Sequence, residues 1–273
     1  MKTTYSLHQI VSKDVHPFSP EKYSRFKYGD LIIAREFGTA LAEGFIRAHG
    51  ELMLEQEEIY ILPSPYHSIP TASNFLTRFF KNHVNLFLFQ HGKRTMTETK
   101  IHRNHTYVTD YGNLDFDERL KLISNDTYRI DTQTINNKFC ILVDDIKITG
   151  SHELTVEKIL NENNVQGNFM FVYFAELINK DIHPNIENYY NYFSMKEITD
   201  FVQLIEQKEF QFNTRLIKYL LKSNQKEMLF LLNTLQADRI EEIFYLSISN
   251  NYHNIAEYKE NINLLKLQLE HGH

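Results

Sequence analysis

The sequence predicts an α/β fold, a parallel sheet flanked by helices, followed by an all-helical C-terminal domain. Three observations carry that prediction. Short apolar runs recur along the middle of the chain: "IYIL" (59–62), "VNLFLF" (84–89), "FCILV" (139–143) and "FMFVYF" (169–174). None alternates in polarity, as strands covered on both faces do not. Helical patterns stand between them, the arrangement of βαβ units, and beyond about residue 180 only helical patterns follow.

Taken in order, "YGDLIIAREFGTALAEGFIRA" places Ile33, Phe37, Leu41 and Phe45 at spacing four, one apolar helix face able to pack on a sheet. Residues 1–56 are read as an N-terminal hood and helical segment, 57–180 as the α/β core and 181–273 as the helical domain. After the first run, "SIPTASNFLTRFFKN" predicts a helix with Ser68 as N-cap and Pro70 in its first turn. The run at 84–89 is then the second strand. A long polar interval follows, "QHGKRTMTETKIHRNHTYVTDYGN", with a short helix expected over 115–123. Loops of this length in a compact domain are often lids or binding loops. "SHELTVEKILNEN" predicts the helix between the last two strands, and "TRLIKYLLK" and "EMLFLLNTL" typify the C-terminal helices.

Composition narrows the function. With 273 residues, 42% apolar and 23% charged, the chain has the profile of an ordinary globular protein. Its single cysteine, Cys140, lies inside "FCILV", so it reads as a packed strand residue in a protein of a reducing compartment. Residues 1–10 lack a basic segment leading into an apolar core, and no run approaches the about 18 apolar residues of a membrane span. A cytoplasmic location and no membrane partner are the expectation. A formal net charge of −6 gives no overall attraction to nucleic acid, whereas a small anion needs only a local site.

The informative stretch is "FCILVDDIKITGSHE" (139–153), where a buried strand ends on Asp144 and Asp145. Ligands of open parallel sheets bind outside the carboxyl ends of the strands. Two adjacent carboxylates there accept both hydroxyls of a ribose or hold a hydrated Mg²⁺. The "KITGS" turn then aims backbone N–H groups and the positive end of the next helix at one place, which favours a phosphate. Acidic pairs also end strands of Walker B sites, receiver domains and metal-dependent phosphatases, but the chain has no G-x-x-x-x-G-K-[ST], the pair lies mid-chain, and Thr149-Gly150 follows it at the offset of a phosphate turn.

"CILVDDIKITGSHE" resembles the phosphoribosyl-pyrophosphate motif of type I phosphoribosyltransferases, in which apolar residues precede two acidic residues, then usually two apolar ones, Thr-Thr-Gly and Thr or Ser. The resemblance implies that Asp144 and Asp145 contact the ribose hydroxyls and that Lys147, Ile148, Thr149, Gly150, Ser151 and His152 surround the 5′-phosphate. Lys147, Ile148 and His152 depart from the usual residues, and the family's purine-salvage members often carry Asp where this chain has Ile148, which disfavours hypoxanthine or guanine. "IYILPSPYHSIPTA" resembles the strand and diphosphate loop, here Ser64, Pro65, Tyr66 and His67, though Pro63 and Pro65 remove amide donors. The interval 91–113 stands where the family has its lid, with Lys93, Arg94, Lys100 and Arg103 as candidate diphosphate contacts; solvated loop cations are the plainer reading of each.

The resemblance covers roughly residues 25–178. Through "SRFKYGDLIIAREFGTALA" and the helical tail, the chain is also similar, more faintly, to phosphoribosyltransferase-like proteins of tellurite and stress-resistance gene clusters. The activity implied is transfer of ribose 5-phosphate from phosphoribosyl pyrophosphate to a nitrogenous acceptor, or the reverse. Asp144, Asp145, Lys100 and Arg103 would be the catalytic groups. Mg²⁺ would be the cofactor, reached by Asp144 and Asp145 through water or ligand, and a homodimer the expected assembly. The alternatives are a silent module that senses the sugar diphosphate or a nucleotide, and helices that bind a protein partner under control of the α/β site.

Overall fold

The parallel sheet is present. The computed structural model describes residues 2–103 and 128–271. Five strands lie in the order β1-β7-β6-β2-β3, all neighbours parallel: β1 (Lys2–Ile10), β2 (Ile59–Pro63), β3 (Thr97–Glu98), β6 (Lys138–Lys147) and β7 (Gly167–Leu177). A separate antiparallel pair joins β4 (Ile101–Arg103) to β5 (Tyr128–Ile130).

Burial on both faces explains why the strands read as unbroken apolar runs. In β6, Ile141 and Val143 face the core beneath α1 (Pro20–Lys27), α2 (Leu31–Leu54) and α3 (Ala72–Gln90). Cys140 and Leu142 face the other way, against Ile135 of α4 (Thr132–Ile135) and Val156 and Leu160 of α5 (Ser151–Glu162). Burial pushes the Cys140 thiol up to about 12, so it behaves as the packed residue expected of it.

Three expectations are corrected. Residues 84–89 are not a strand but the last turns of α3: Leu76, Phe80, Val84 and Leu88 recur at spacing four and are fully buried, while Leu86 and Phe89 are exposed. The helical period of "FLTRFFKN" runs straight on through "VNLFLF", and the strand beyond β2 is instead the two-residue β3. The cap of α3 is Thr71 rather than Ser68, with the Asn74 side chain accepting from the Thr71 N–H at 2.7 Å. Pro70 therefore precedes the helix. The sequence also places no strand before residue 59, whereas β1 pairs with β7 from Lys2 to Ile10. The helix expected over 115–123 lies outside the described residues.

Among the described residues, a second core contains no strand residue and is built mainly from helices, with Tyr28 and Ile69 reaching into it. It gathers α7 (Ile198–Ile205), α8 (Thr214–Lys222), α9 (Gln225–Thr234), α10 (Ala237–Ser249) and α11 (Lys259–His271), preceded by α6 (Ile186–Asn191). These helices are fastened to the α/β part by backbone. Leu31 N–H donates to Glu209 O (3.0 Å) and Gln211 N–H to Gly29 O (3.1 Å). Gly29 has φ +109°, and a Cβ there would stand 2.2 Å from Gln211 O, so this close approach requires glycine. Ser68 adds its own tie, its hydroxyl donating to Ser249 O at 2.9 Å.

Candidate active site

The site begins with register. Pro63 of β2 pairs with Val143 of β6, so β2 ends where Ser64 comes beside Asp144, while β6 continues to Lys147 with Asp144 still paired to Tyr173 of β7. Between them and the helical region lies a cavity of about 410 Å³. Its floor is the segment 144–153, with Ser64, Pro65 and the start of α3 on one side. Its far wall is α8, through Thr214, Arg215, Lys218, Tyr219 and Lys222.

The turn after β6 has the conformation an anion loop needs. Gly150 has φ +76° and is the N-cap of α5, a twelve-residue helix. A Cβ at Gly150 would meet only Lys147 Cε, at 3.5 Å, so glycine is required here by conformation and not by crowding. Thr149 Oγ1 and Ser151 Oγ lie 3.0 Å apart, two hydroxyls facing the place where the first N–H groups of α5 have no intrahelical partner. Ile148 is 5% exposed and packs into the main core, so its side chain anchors the loop. Lys147 is held by Glu153 at 2.8 Å and Glu176 at 3.3 Å and lies over the Tyr173 ring. Burial acts to lower its pKa, but those two carboxylates outweigh it and the ammonium is held above its usual value.

The two carboxylates have different surroundings, which displace their pKa values in opposite directions. Asp144 faces His152, whose Nδ1 lies 2.9 Å from Oδ2, while the Asp145 N–H donates to Asp144 Oδ1 at 2.9 Å. Burial pushes the Asp144 carboxyl up, and the hydrogen bond and charge of His152 more than reverse it, so the group is held below the usual carboxylate range. Asp145 is buried, and its Oδ2 accepts from Lys27 Nζ and from Tyr23 Oη, both at 2.5 Å. Burial raises its pKa; the Lys27 ammonium opposes the rise and the Asp144 charge adds to it. Tyr23, fully buried, is pushed well above the usual phenol value by burial first and by the Asp145 charge second.

Other expected site residues stand elsewhere. Tyr66 and His67 are outside the cavity lining, and Lys100 Nζ sits over the Tyr66 ring at 5.2 Å from its centroid. Arg94 pairs with Glu58 at 2.8 Å and Lys93 is exposed. The Arg103 side chain and residues 104–113 of the expected lid lie outside the described residues. Among the described residues no group of three His, Cys, Asp or Glu is placed to hold a metal ion.

Sequence reasoning missed Tyr23, Lys27 and the α8 cations. Tyr23 and Lys27 sit four apart in "EKYSRFK", on one side of a short helix, a signal legible only once a buried partner is known. Arg215, Lys218 and Lys222 recur at i, i+3 and i+7 in "RLIKYLLK", which marks one polar face but not what it faces.

A family model described as PRTase ComF-like matches residues 1–265. The chain belongs to that family. The match takes in the helical C-terminal region as well as the sheet, so in this PRTase ComF-like protein both walls of the cavity fall within the family's extent. No curated protein matches the chain. Among solved structures it is similar to a hypoxanthine-guanine phosphoribosyltransferase of Bacillus anthracis, at 15% identity and a TM-score of 0.34, over 56% of this chain and 83% of that one. A mutant hypoxanthine phosphoribosyltransferase of Trypanosoma cruzi complexed with IMP matches at 11% identity and a TM-score of 0.35, over 56% and 77%. The L. donovani hypoxanthine-guanine enzyme matches at 12% and 0.32, over 54% and 70%. Likenesses this distant do not carry a base preference to this chain. No described helix is long and apolar enough to cross a membrane.

Proposed function

We propose that this PRTase ComF-like protein binds a ribose 5-phosphate group, carried by phosphoribosyl pyrophosphate, and transfers it to a nitrogenous acceptor. One observation carries the reading: the left-handed Gly150 turn at the start of α5 and the ionised Asp144 open into the same cavity. The loop amides with Thr149 and Ser151 hold the phosphate, and Asp144, an acceptor-only carboxylate, receives ribose hydroxyls. His152 sets the position and charge of Asp144 from 2.9 Å away. No protein nucleophile is required, because departure of the diphosphate from C1 leaves a cationic sugar that the acceptor captures. The protein's part is to orient the donor, stabilise charge and keep water from the reactive carbon.

The donor set does not fit a protein-held Mg²⁺. Asp145 Oδ2 is taken by Lys27 and Tyr23, both Asp144 oxygens have partners, and no third His, Cys, Asp or Glu joins them among the described residues. The positive charge beside Asp145 is the Lys27 ammonium. That same lock favours a second reading, a module that binds the sugar phosphate and signals occupancy without turnover, since Asp145 is spent on structure.

Calorimetric titration with phosphoribosyl pyrophosphate and ribose 5-phosphate tests the site, using wild type and Gly150→Asp. The substitution puts a carboxylate in the anion loop to repel the phosphate; the Cβ has room but Asp at φ +76° strains the turn by about 1–3 kcal/mol, so circular dichroism first establishes that the variant is folded. Expected is binding by wild type and a loss of about tenfold or more in the variant. Equal affinities would remove the phosphate from that loop. Pyrophosphate release in the presence of nitrogenous bases then separates an enzyme from a sensor.

A further inference from the structure

A second group of cations lines the cavity outside the sequence motif, with Glu187 and Glu227 also in the lining. Arg215, Lys218 and Lys222 project from one face of α8 into the same space as Thr149, Gly150 and Ser151. Arg215 is near enough to Tyr23, the partner of Asp145, for its charge to lower that phenol's pKa against the larger effect of burial. Lys222 is exposed, and its contact with Glu257 spans 3.6 Å at the surface, too weakly held to fix it there.

α8 is bolted in place. Asn213 caps its first turn and donates to Lys27 O at 3.0 Å, next to the Asp145 lock. Thr214 donates from its hydroxyl to Ile69 O (2.6 Å) and from its N–H to Pro70 O (2.9 Å). At the other end Asn261 donates to Leu221 O and Ser223 O, at 2.9 and 2.7 Å. The helix is therefore fastened to the segment that follows Ser64 and Pro65, the loop beside the Asp144 edge, and its cations cannot swing away as those of a loop can.

We propose that α8 is a fixed cationic wall for a second phosphate-type anion, the diphosphate end of the donor, with Lys218 and Lys222 as its contacts. The helical C-terminal region is then part of the binding site. The inference rests on the ribose-phosphate reading for its ligand, and its test separates the two.

The test titrates three probes, ribose 5-phosphate, phosphoribosyl pyrophosphate and inorganic pyrophosphate, into wild type, Gly150→Asp and Lys218→Gln/Lys222→Gln. Expected in wild type is tighter binding of the diphosphorylated sugar than of ribose 5-phosphate. In the lysine double variant that advantage should fall about tenfold or more, with ribose 5-phosphate changed less than about threefold. Lys218→Arg/Lys222→Arg should restore it, which shows that charge and not a folding defect is read. An unchanged ratio between the two sugars in the Gln variant overturns the inference while leaving the ribose-phosphate site standing. If wild type binds neither sugar, the ribose-phosphate reading fails, and pyrophosphate alone decides: binding that is lost in the Gln variant and kept in Gly150→Asp upholds the wall, and absence of binding overturns it.

Discussion

Replacing Lys27 with methionine removes one half of a pair whose atoms lie 2.5 Å apart and whose side chains are 11% and 8% exposed. The gross attraction at that distance is about 7 kcal/mol in an effective dielectric of about 20, much of it cancelled by the desolvation of both groups. Losing one partner is nonetheless costly, about 3–5 kcal/mol, because the other is stranded. Asp145 can limit the cost by taking up a proton. Neutralising a carboxyl of ordinary pKa about 3.9 costs about 1.4 kcal/mol per pH unit above it, so about 4 kcal/mol at pH 7 and about 1.5 at pH 5.

The sign follows from the direction of the shift. Asp145 has a folded pKa already raised by burial, so its contribution to stability is held at low pH and lost as pH rises through the folded value. Without Lys27 that value rises further and the loss extends over a wider range. Urea denaturation of wild type and Lys27→Met at pH 5 and pH 8, followed by circular dichroism, should show a gap that widens by about 2 kcal/mol or more toward pH 8. Lys27→Met/Asp145→Asn should recover most of it. A gap below about 1 kcal/mol, or one flat with pH, would refute a buried lock between α1 and the end of β6.

Three further outcomes are expected. His152→Ala removes the group that holds the Asp144 pKa down against burial; since a depressed carboxyl contributes stability above its unfolded pKa that is lost as pH falls through the folded one, the acid limb of the stability curve should move to higher pH in the variant. Urea midpoints between pH 3 and 7 read this, and superimposable acid limbs would contradict it. Gly38→Ala should cost about 1–3 kcal/mol, because its Cβ would stand 2.7 Å from both Leu76 O and Phe79 Cβ where α2 crosses α3; thermal unfolding at an unchanged midpoint would mean the helices are not so close. Cys140, buried and with its thiol pushed up to about 12, should resist iodoacetamide in the native protein and react fully in denaturant, as intact mass would record.

The parts of the fold that sequence made legible are those whose burial is two-sided. β2, β6 and β7 are continuous apolar runs because helices cover both faces, and the "DDIKITGS" turn is readable because strand end, glycine and helix start occupy fixed offsets. "VNLFLF" misleads for the same reason: six residues that are mostly apolar look alike on a buried strand and on the end of a helix, and only the period carried over from Leu76 and Phe80 separates them. β1 hides because it is an edge strand, its "KTTYSLHQI" largely polar and half-exposed, with pairing supplied by β7 and not by its own pattern.

The site divides along the same line. A helix face shows its period in the sequence, so "RLIKYLLK" declares that Leu216, Ile217, Leu220 and Leu221 are buried and that Arg215, Lys218 and Lys222 are not. What the cations face depends on where α8 is fastened, and that is decided by Asn213, Thr214 and Asn261 bonding to backbone carbonyls of Lys27, Ile69, Pro70, Leu221 and Ser223. Single side-chain caps on main-chain oxygens leave no periodic trace. Read from sequence, the motif accounts for one end of a charged ligand, and a net charge of −6 offers no hint of a second. The fold gathers Arg215, Lys218, Lys222 and a helix start into one cavity, where Glu187 and Glu227 also stand, so the electrostatics that matter for binding are set by tertiary placement rather than by composition.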